Sequence, residues 1–232
     1  EVQEGRIEAL IGPNGAGKTT AFNVITGVYS PTKGNVFYKN ENITGLTPDK
    51  ITKKGIARTF QNIRLFKNLT VLENILIANH LRINSNFLSS TLRMPWSNKE
   101  ERQMREKSEM LLDKLDLLRL KNEIAHSLPY GEQRKLEIAR ALATDADLLL
   151  LDEPAAGMNP SETMELSSFI HNIRDEFHLT IFMIEHHMDL VMEISEKIYV
   201  LDFGQLIAEG TANEVKNDQR VIEAYLGVEE DA

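Results

Sequence analysis

Ile7-Glu8-Ala9-Leu10-Ile11-Gly12-Pro13-Asn14-Gly15-Ala16-Gly17-Lys18-Thr19-Thr20 is the stretch that decides the fold. An apolar run of strand length, Ile7–Ile11, feeds G-x-x-x-x-G-K-T, and strand, glycine-rich turn, then helix is the context in which such a turn binds phosphate. Glycines 12, 15 and 17 let the backbone wrap an anion with its N–H groups turned inward. A helix starting near Lys18 points the positive end of its dipole at the same place. The expected cradle is therefore Gly12, Pro13, Asn14, Gly15, Ala16, Gly17, Lys18, Thr19 and Thr20. Lys18 is expected to reach the β and γ phosphates of a triphosphate, and Thr19 to ligate Mg²⁺. Glu8 is out of character, because a strand buried on both faces has no place for an unpaired carboxylate. It is expected at an exposed strand start or in a distorted strand.

Working outward, further apolar runs at Leu148–Leu151, Thr180–Ile184 and Lys197–Leu201 alternate with helical patterns. That alternation predicts an α/β fold whose parallel strands are covered on both faces. The run Leu148–Leu151 ends in Asp152-Glu153-Pro154. A carboxylate at that strand end can hold Mg²⁺ through its water shell, the role read for Asp152, and its neighbour Glu153 can take a proton from an attacking water. From 65 to 143 the pattern is helical instead, with helices expected at Val71–His80, Lys99–Leu118 and Glu132–Ala143. The expected organisation is a core of 1–64 and 144–232 with a helical subdomain, 65–143, inserted in it. Asn84–Asn98 reads as a loop, and Trp96 within it as a local packing anchor. The mixed charges of Lys99–Glu109 read as a solvated helix face with i,i+4 pairs.

The composition narrows the function classes. Twenty-six Lys and Arg against 35 Asp and Glu give a net charge of −9, which excludes electrostatic adhesion to nucleic acid or membrane as the main activity. The absence of cysteine excludes disulfides, thiol catalysis and cysteine-ligated metals. No apolar run approaches the roughly 18 residues of a membrane span, so the expectation is no direct lipid span and no secretory signal.

With these anchors in this order, the chain resembles the ATP-binding cassette family essentially end to end. Gln61, in Arg58-Thr59-Phe60-Gln61-Asn62, is similar to the family's Q-loop glutamine, and His186, after Thr180–Ile184, to its switch histidine; His187 stands where many relatives carry Asp. Leu128-Pro129-Tyr130-Gly131-Glu132-Gln133 resembles the family signature, and implies that Tyr130, Gly131 and Glu132 contact nucleotide bound by a second cassette. Pro129 replaces the usual Ser. It suits a helix start but has neither hydroxyl nor N–H, so closure of the two cassettes is expected to be weakened rather than abolished. Asn159, in Ala155-Ala156-Gly157-Met158-Asn159-Pro160, replaces a common Asp and can still bond across a dimer without charge.

The resemblance implies a P-loop NTPase core of the RecA-like type, with a parallel-rich sheet and an inserted helical signature subdomain. It also implies that N-terminal strands, with an adenine-stacking aromatic, are missing before residue 1, so nucleotide affinity and base selectivity are expected to be reduced. The implied activity is Mg-ATP hydrolysis coupled to transport. Its catalytic residues are Glu153, His186, Gln61 and Lys18, its metal residues Thr19, Gln61 and Asp152, and its cofactors ATP and Mg²⁺. The implied partners are a second nucleotide-binding cassette, in a hetero- or homodimer, and two membrane permease subunits. That places the chain peripherally on the cytoplasmic face of the membrane. Gly55–Phe66, Glu153–Pro160 and the tail from Ala208 to Gly227 are most similar to the larger cassette of branched-chain amino-acid importers. Cassettes for urea or lipopolysaccharide, a soluble assembly ATPase, and an ATP-gated dimerisation module with little turnover are the alternatives. The interval from Lys18 to Gly131 leaves no room for the coiled-coil arms of a DNA-repair cassette.

Overall fold

The computed structural model describes residues 1–79 and 95–226, with the backbone alone at 95–100 and 226. The chain divides into two compact units, Glu1–Gln61 with Asp147–Ala232, and Asn62–Ala146.

The first unit is built on a six-stranded sheet. Its strands are β1 (Ile7–Ile11), β4 (Ile56–Arg58), β5 (Leu148–Asp152), β6 (Thr180–Ile184), β7 (Lys197–Asp202) and β8 (Gln205–Gly210), in the spatial order β4-β5-β6-β1-β7-β8. A separate antiparallel ribbon pairs β2 (Phe37–Tyr38) with β3 (Glu41–Asn42). All neighbours in the large sheet are parallel except the β7–β8 hairpin. Every residue of β1 and β6 is buried, which is why these strands are apolar apart from Glu8 and Thr180. The sequence reading misses β4 and β8. One is three residues long, and the other is an edge strand whose exposed side chains break the apolar run.

Phe22 projects from the helix Lys18–Ile25 onto the sheet, its ring centroid 5.5 Å from that of Phe182. Phe182 in turn meets Tyr199 edge-on at 6.1 Å, an offset arrangement that adds to the area these rings bury.

The expectation for Glu8 is corrected here. β1 keeps regular register with β6 and β7, and Glu8, its second residue, is wholly buried. Its charge is met by hydrogen bonds: the Tyr199 hydroxyl donates to Oε2 at 3.0 Å and the Gln3 N–H to Oε1 at 3.2 Å. Burial, reinforced by the Glu8 charge, pushes the Tyr199 phenol well above its ordinary value.

The second unit holds the helices Val71–Asn79, Pro95–Lys114 and Tyr130–Leu142. The middle helix begins earlier and ends earlier than expected. Pro95 is well suited to a first helical turn, so Pro95–Asn98 opens the helix instead of closing a loop. At the other end Asp116 adopts φ +57°, which stops the helix before the short turn Leu118–Leu120. The rest of the expected loop, 84–94, His80 and the Trp96 side chain lie outside the described residues. The expected charge pairs form, Arg102 with Glu106 at 2.9 Å and Arg105 with Glu109 at 3.4 Å.

Val71, Ile75, Leu112, Leu136 and Ile138 are the apolar interior of this unit. Two polar pairs are buried with them. Asn79 donates to Ser108 Oγ at 2.7 Å, and Arg134 donates to Glu137 at 2.8 Å with both side chains essentially inaccessible. Glu137 also accepts the Arg64 N–H at 2.9 Å. Burial outweighs these partners and raises the Glu137 carboxyl above its usual range.

Candidate active site

The phosphate loop leaves β1 at Gly12, whose backbone lies so close to β7 that a β-carbon there would stand 2.0 Å from the Leu201 carbonyl oxygen. Behind the loop, the turn between β7 and β8 is tied on by the Gly204 N–H, which donates to the Ala16 carbonyl at 2.9 Å. The crest is open in contrast: a β-carbon at Gly15 would meet nothing within 4 Å. Asn14, Gly15, Thr19 and Thr20 are exposed, while Gly12, Pro13, Ala16 and Lys18 are buried.

The helix Lys18–Ile25 starts at Gly17 with no side-chain cap. Its first-turn N–H groups therefore have no side-chain acceptor at the cap, a fitting arrangement for an anion. Lys18 Nζ donates to the Gly12 and Pro13 carbonyls at 2.6 and 2.9 Å, so the lysine spans the foot of the loop. Desolvation lowers its pKa, and the nearby Glu153 charge opposes that in part. An open glycine crest, uncapped N–H groups and a buried lysine together suit a polyphosphate.

Because β6 lies between β1 and β5, three successive parallel strands deliver the phosphate loop, His186 and Asp152-Glu153 at the same edge of the sheet, the carboxyl ends where such folds bind ligands. Glu153 stands just beyond β5 in the left-handed conformation, φ +48°, with its N–H donating to the Ile184 carbonyl at 2.9 Å. A non-glycine residue pays about 1–2 kcal/mol for that conformation. The turn aims the carboxylate between two side chains: His186 Nε2 is 2.9 Å from Oε1, and Gln61 Nε2 donates to Oε2 at 2.5 Å. Gln61, Glu153 and His186 are thus brought together. The two histidines diverge, since His187 Nδ1 lies 3.0 Å from Glu185 instead.

Asp152 is almost fully buried, and Arg58 donates to its Oδ2 at 2.6 Å. Arg58 is itself held by Asn23 Oδ1 at 2.7 Å, and its guanidinium lies 5.5 and 5.2 Å from the ring centroids of Phe22 and Phe60. Among the described residues no three His, Cys, Asp or Glu side chains form a metal cluster. A threonine hydroxyl, a glutamine amide and a carboxylate nonetheless suit Mg²⁺, which takes few protein ligands and keeps water and phosphate oxygens.

The residues expected to form the signature belong to the second unit. Pro129 occupies the N-cap of Tyr130–Leu142 and supplies no side-chain cap. Tyr130 receives a hydrogen bond from Arg134 at 3.2 Å, with the guanidinium 5.9 Å from its ring centroid. Glu132 is paired with Arg119 at 2.8 Å. At Gly131 an added β-carbon would meet nothing within 4 Å. Asn159 acts within its own turn, where its side chain caps Pro160–Phe177 by accepting the Glu162 N–H at 3.1 Å and the Glu162 side chain returns the bond.

Two residues in this constellation escape the sequence reading. Arg58 enters it only as a neighbour of Gln61. Glu185 carries the same signal that picks out Asp152, an acid closing an apolar strand, yet is hidden beside two more conspicuous histidines.

The family described as ABC transporter matches residues 1–156, and one described as branched-chain amino acid ATP-binding cassette transporter matches residues 205–231. The high-affinity branched-chain amino acid transport ATP-binding protein BraF of Pseudomonas aeruginosa is 46% identical over 227 residues, covering 98% of this chain and 89% of that protein. The corresponding LivG of Escherichia coli is 44% identical over the same shares. Among solved structures, the ADP conformation of an ATP-binding cassette from an ABC transporter is 36% identical. It covers 97% of this chain and 89% of its own, with a TM-score of 0.83. A nucleotide-free ATP-binding cassette, also 36% identical over the same shares, gives 0.82.

Proposed function

Since this chain belongs to the ABC transporter family, we propose that it is the ATP-hydrolysing subunit of an importer for branched-chain amino acids. The observation that carries the hydrolytic reading is Glu153, held in a left-handed turn at a strand end between Gln61 and His186. A carboxylate so placed can accept a proton from water as the water oxygen attacks the γ phosphorus in line and the bond to the β–γ bridging oxygen breaks. Gln61 orients the water against Glu153. His186 and Lys18 offset the charge that grows on the γ oxygens. Thr19 and Asp152, with Gln61, would hold Mg²⁺, which supplies charge neutralisation at the β and γ phosphates. Arg58 fixes Asp152 by taking one of its oxygens.

The solute class is supported by the match of the tail, 205–231, and by the names of the relatives BraF and LivG. Leu128–Glu132 would complete the site of a second cassette, through the Gly131 backbone and the dipole of the following helix. No described helix is long and apolar enough to cross a membrane. On this reading coupling to transport runs through two permease subunits, with the chain peripheral on the cytoplasmic face, as the names of the transporter relatives support.

The test is steady-state Mg-ATP hydrolysis against protein concentration, with Glu153→Gln beside the unaltered chain. Activity rising faster than linearly and disappearing in the variant supports a dimeric motor with Glu153 as base. Linear activity that survives the substitution refutes it. Uptake of leucine and urea by vesicles carrying the chain with its permease partners then decides the solute class.

A further inference from the structure

Glu185 follows the last residue of β6, and its carboxylate has no exposed surface. One oxygen, Oε1, accepts the Ala155 N–H at 2.8 Å. The other, Oε2, accepts the N–H groups of His186 and His187 at 2.7 and 2.9 Å and lies 3.0 Å from His187 Nδ1. A single buried side chain thus joins the segment after β5 to the segment after β6. Those segments carry Glu153 and His186.

The join matters because of what it encloses. Glu153 sits in a costly backbone conformation, and a residue so strained stays in place only when its surroundings over-determine it. On one side its own N–H is held by the Ile184 carbonyl at 2.9 Å. On the other, Pro154 has no N–H to offer, so the first available backbone donor is that of Ala155. Glu185 takes it. The same carboxylate fixes the backbone of His186, whose ring must meet Glu153 at 2.9 Å.

We propose that Glu185 is a positioning residue for ATP hydrolysis: through the backbone N–H groups of Ala155 and His186 it holds the base and the switch histidine in register without touching nucleotide. The proposal rests on the reading of Glu153 as the base. It also accounts for the acid itself, because both oxygens face donors. A glutamine must turn its NH₂ toward one set or the other, and cannot serve both segments.

The experiment compares the full chain, Glu185→Gln, Glu153→Gln and the double variant in Mg-ATP hydrolysis, with affinity for a fluorescent ATP analogue measured on each. Glu185→Gln is expected to lower kcat at least tenfold with nucleotide affinity within twofold, and to have no further effect in the Glu153→Gln background. A Glu185→Gln protein that turns over at the unaltered rate overturns the proposal. So does one that loses affinity and kcat in parallel, the mark of a merely structural role. If Glu153→Gln keeps full activity, the reading of the base falls, and the premise of this proposal with it. Should Glu185→Gln fail to fold, amide exchange in the unaltered chain decides: the Ala155 and His186 amides should be protected, and exchange at open-loop rates overturns the assignment.

Discussion

Gly131→Ala separates what the signature does for this chain from what it does for another. Gly131 is the second residue of Tyr130–Leu142, its φ is not positive, and an added methyl would meet nothing within 4 Å. The fold should accept alanine. Alanine is favoured over glycine by up to about 1 kcal/mol inside a helix and by less in a first turn. The thermal midpoint should therefore hold or rise by no more than about 2–4 °C for a chain of this size. Activity should fall, because the glycine's N–H is read as approaching a γ phosphate held by a second cassette, and a methyl group holds that phosphate off. Losing one hydrogen bond to a charged group costs about 1.5–3 kcal/mol, or roughly ten- to a hundredfold in rate. A melt followed by circular dichroism and a hydrolysis assay across protein concentration measure the two effects. Unchanged specific activity in a protein that melts normally refutes the close approach across a dimer. A midpoint that drops refutes the open surroundings of Gly131.

Other substitutions test the remaining parts. Arg58→Met strips the partner from a buried Asp152 and should cost about 3–5 kcal/mol, seen as a lower melting midpoint; adding Asp152→Leu should recover much of the stability but none of the hydrolysis. Gly12→Ala puts a methyl 2.0 Å from the Leu201 carbonyl oxygen while Gly15→Ala meets nothing, so chemical denaturation should find the former less stable by at least about 1 kcal/mol, the two sharing a strained φ. Pro129→Ser supplies the missing cap of Tyr130–Leu142 and should stabilise the chain by about 0.5–2 kcal/mol, with hydrolysis at low protein concentration rising at the same time. Desolvation lowers the Lys18 pKa from 10.5, and ATP binds the protonated form, so affinity measured by titration calorimetry should weaken with rising pH from below that value, with proton uptake on binding.

How much of this is legible in the sequence depends on whether a residue's role is local. The phosphate loop reads directly, because its glycines, lysine and threonines lie within nine residues and the strand before it is wholly buried and wholly apolar but for Glu8. Glu8 itself does not read, because its partner Tyr199 lies far along the chain on β7, and only the register of β1 with β7 brings them together. β4 fails for the opposite reason: three residues are too few for a period, and its place beside β5 is fixed by tertiary pairing. Glu153 is legible as an acid at a strand end. Its left-handed backbone is not, and its pairing with Gln61, 92 residues away, is reached only through the family resemblance. The start of Pro95–Lys114 is misread because proline and serine mark loops and first helical turns alike.

The strand order explains why the proposed hydrolytic residues can be assembled in one unit while the proposed signature is carried by the other. Placing β6 between β1 and β5 sets the end of the histidine-bearing strand between the phosphate loop and the acid-bearing strand. His186 therefore meets Glu153 from an adjacent strand, with no long loop to order. Gln61 closes the first unit where β4, on the far side of β5, has run out. Glu153 and its two partners, Gln61 and His186, are held together by contacts within that unit. Gly131 is the second residue of a helix of the second unit, with open space where a β-carbon would stand. On the proposed reading, a dependence of rate on protein concentration would enter through groups that a second cassette supplies, Gly131 and Asn159 among them. That is the sense in which the chain would carry its own chemistry and borrow only the clamp that triggers it.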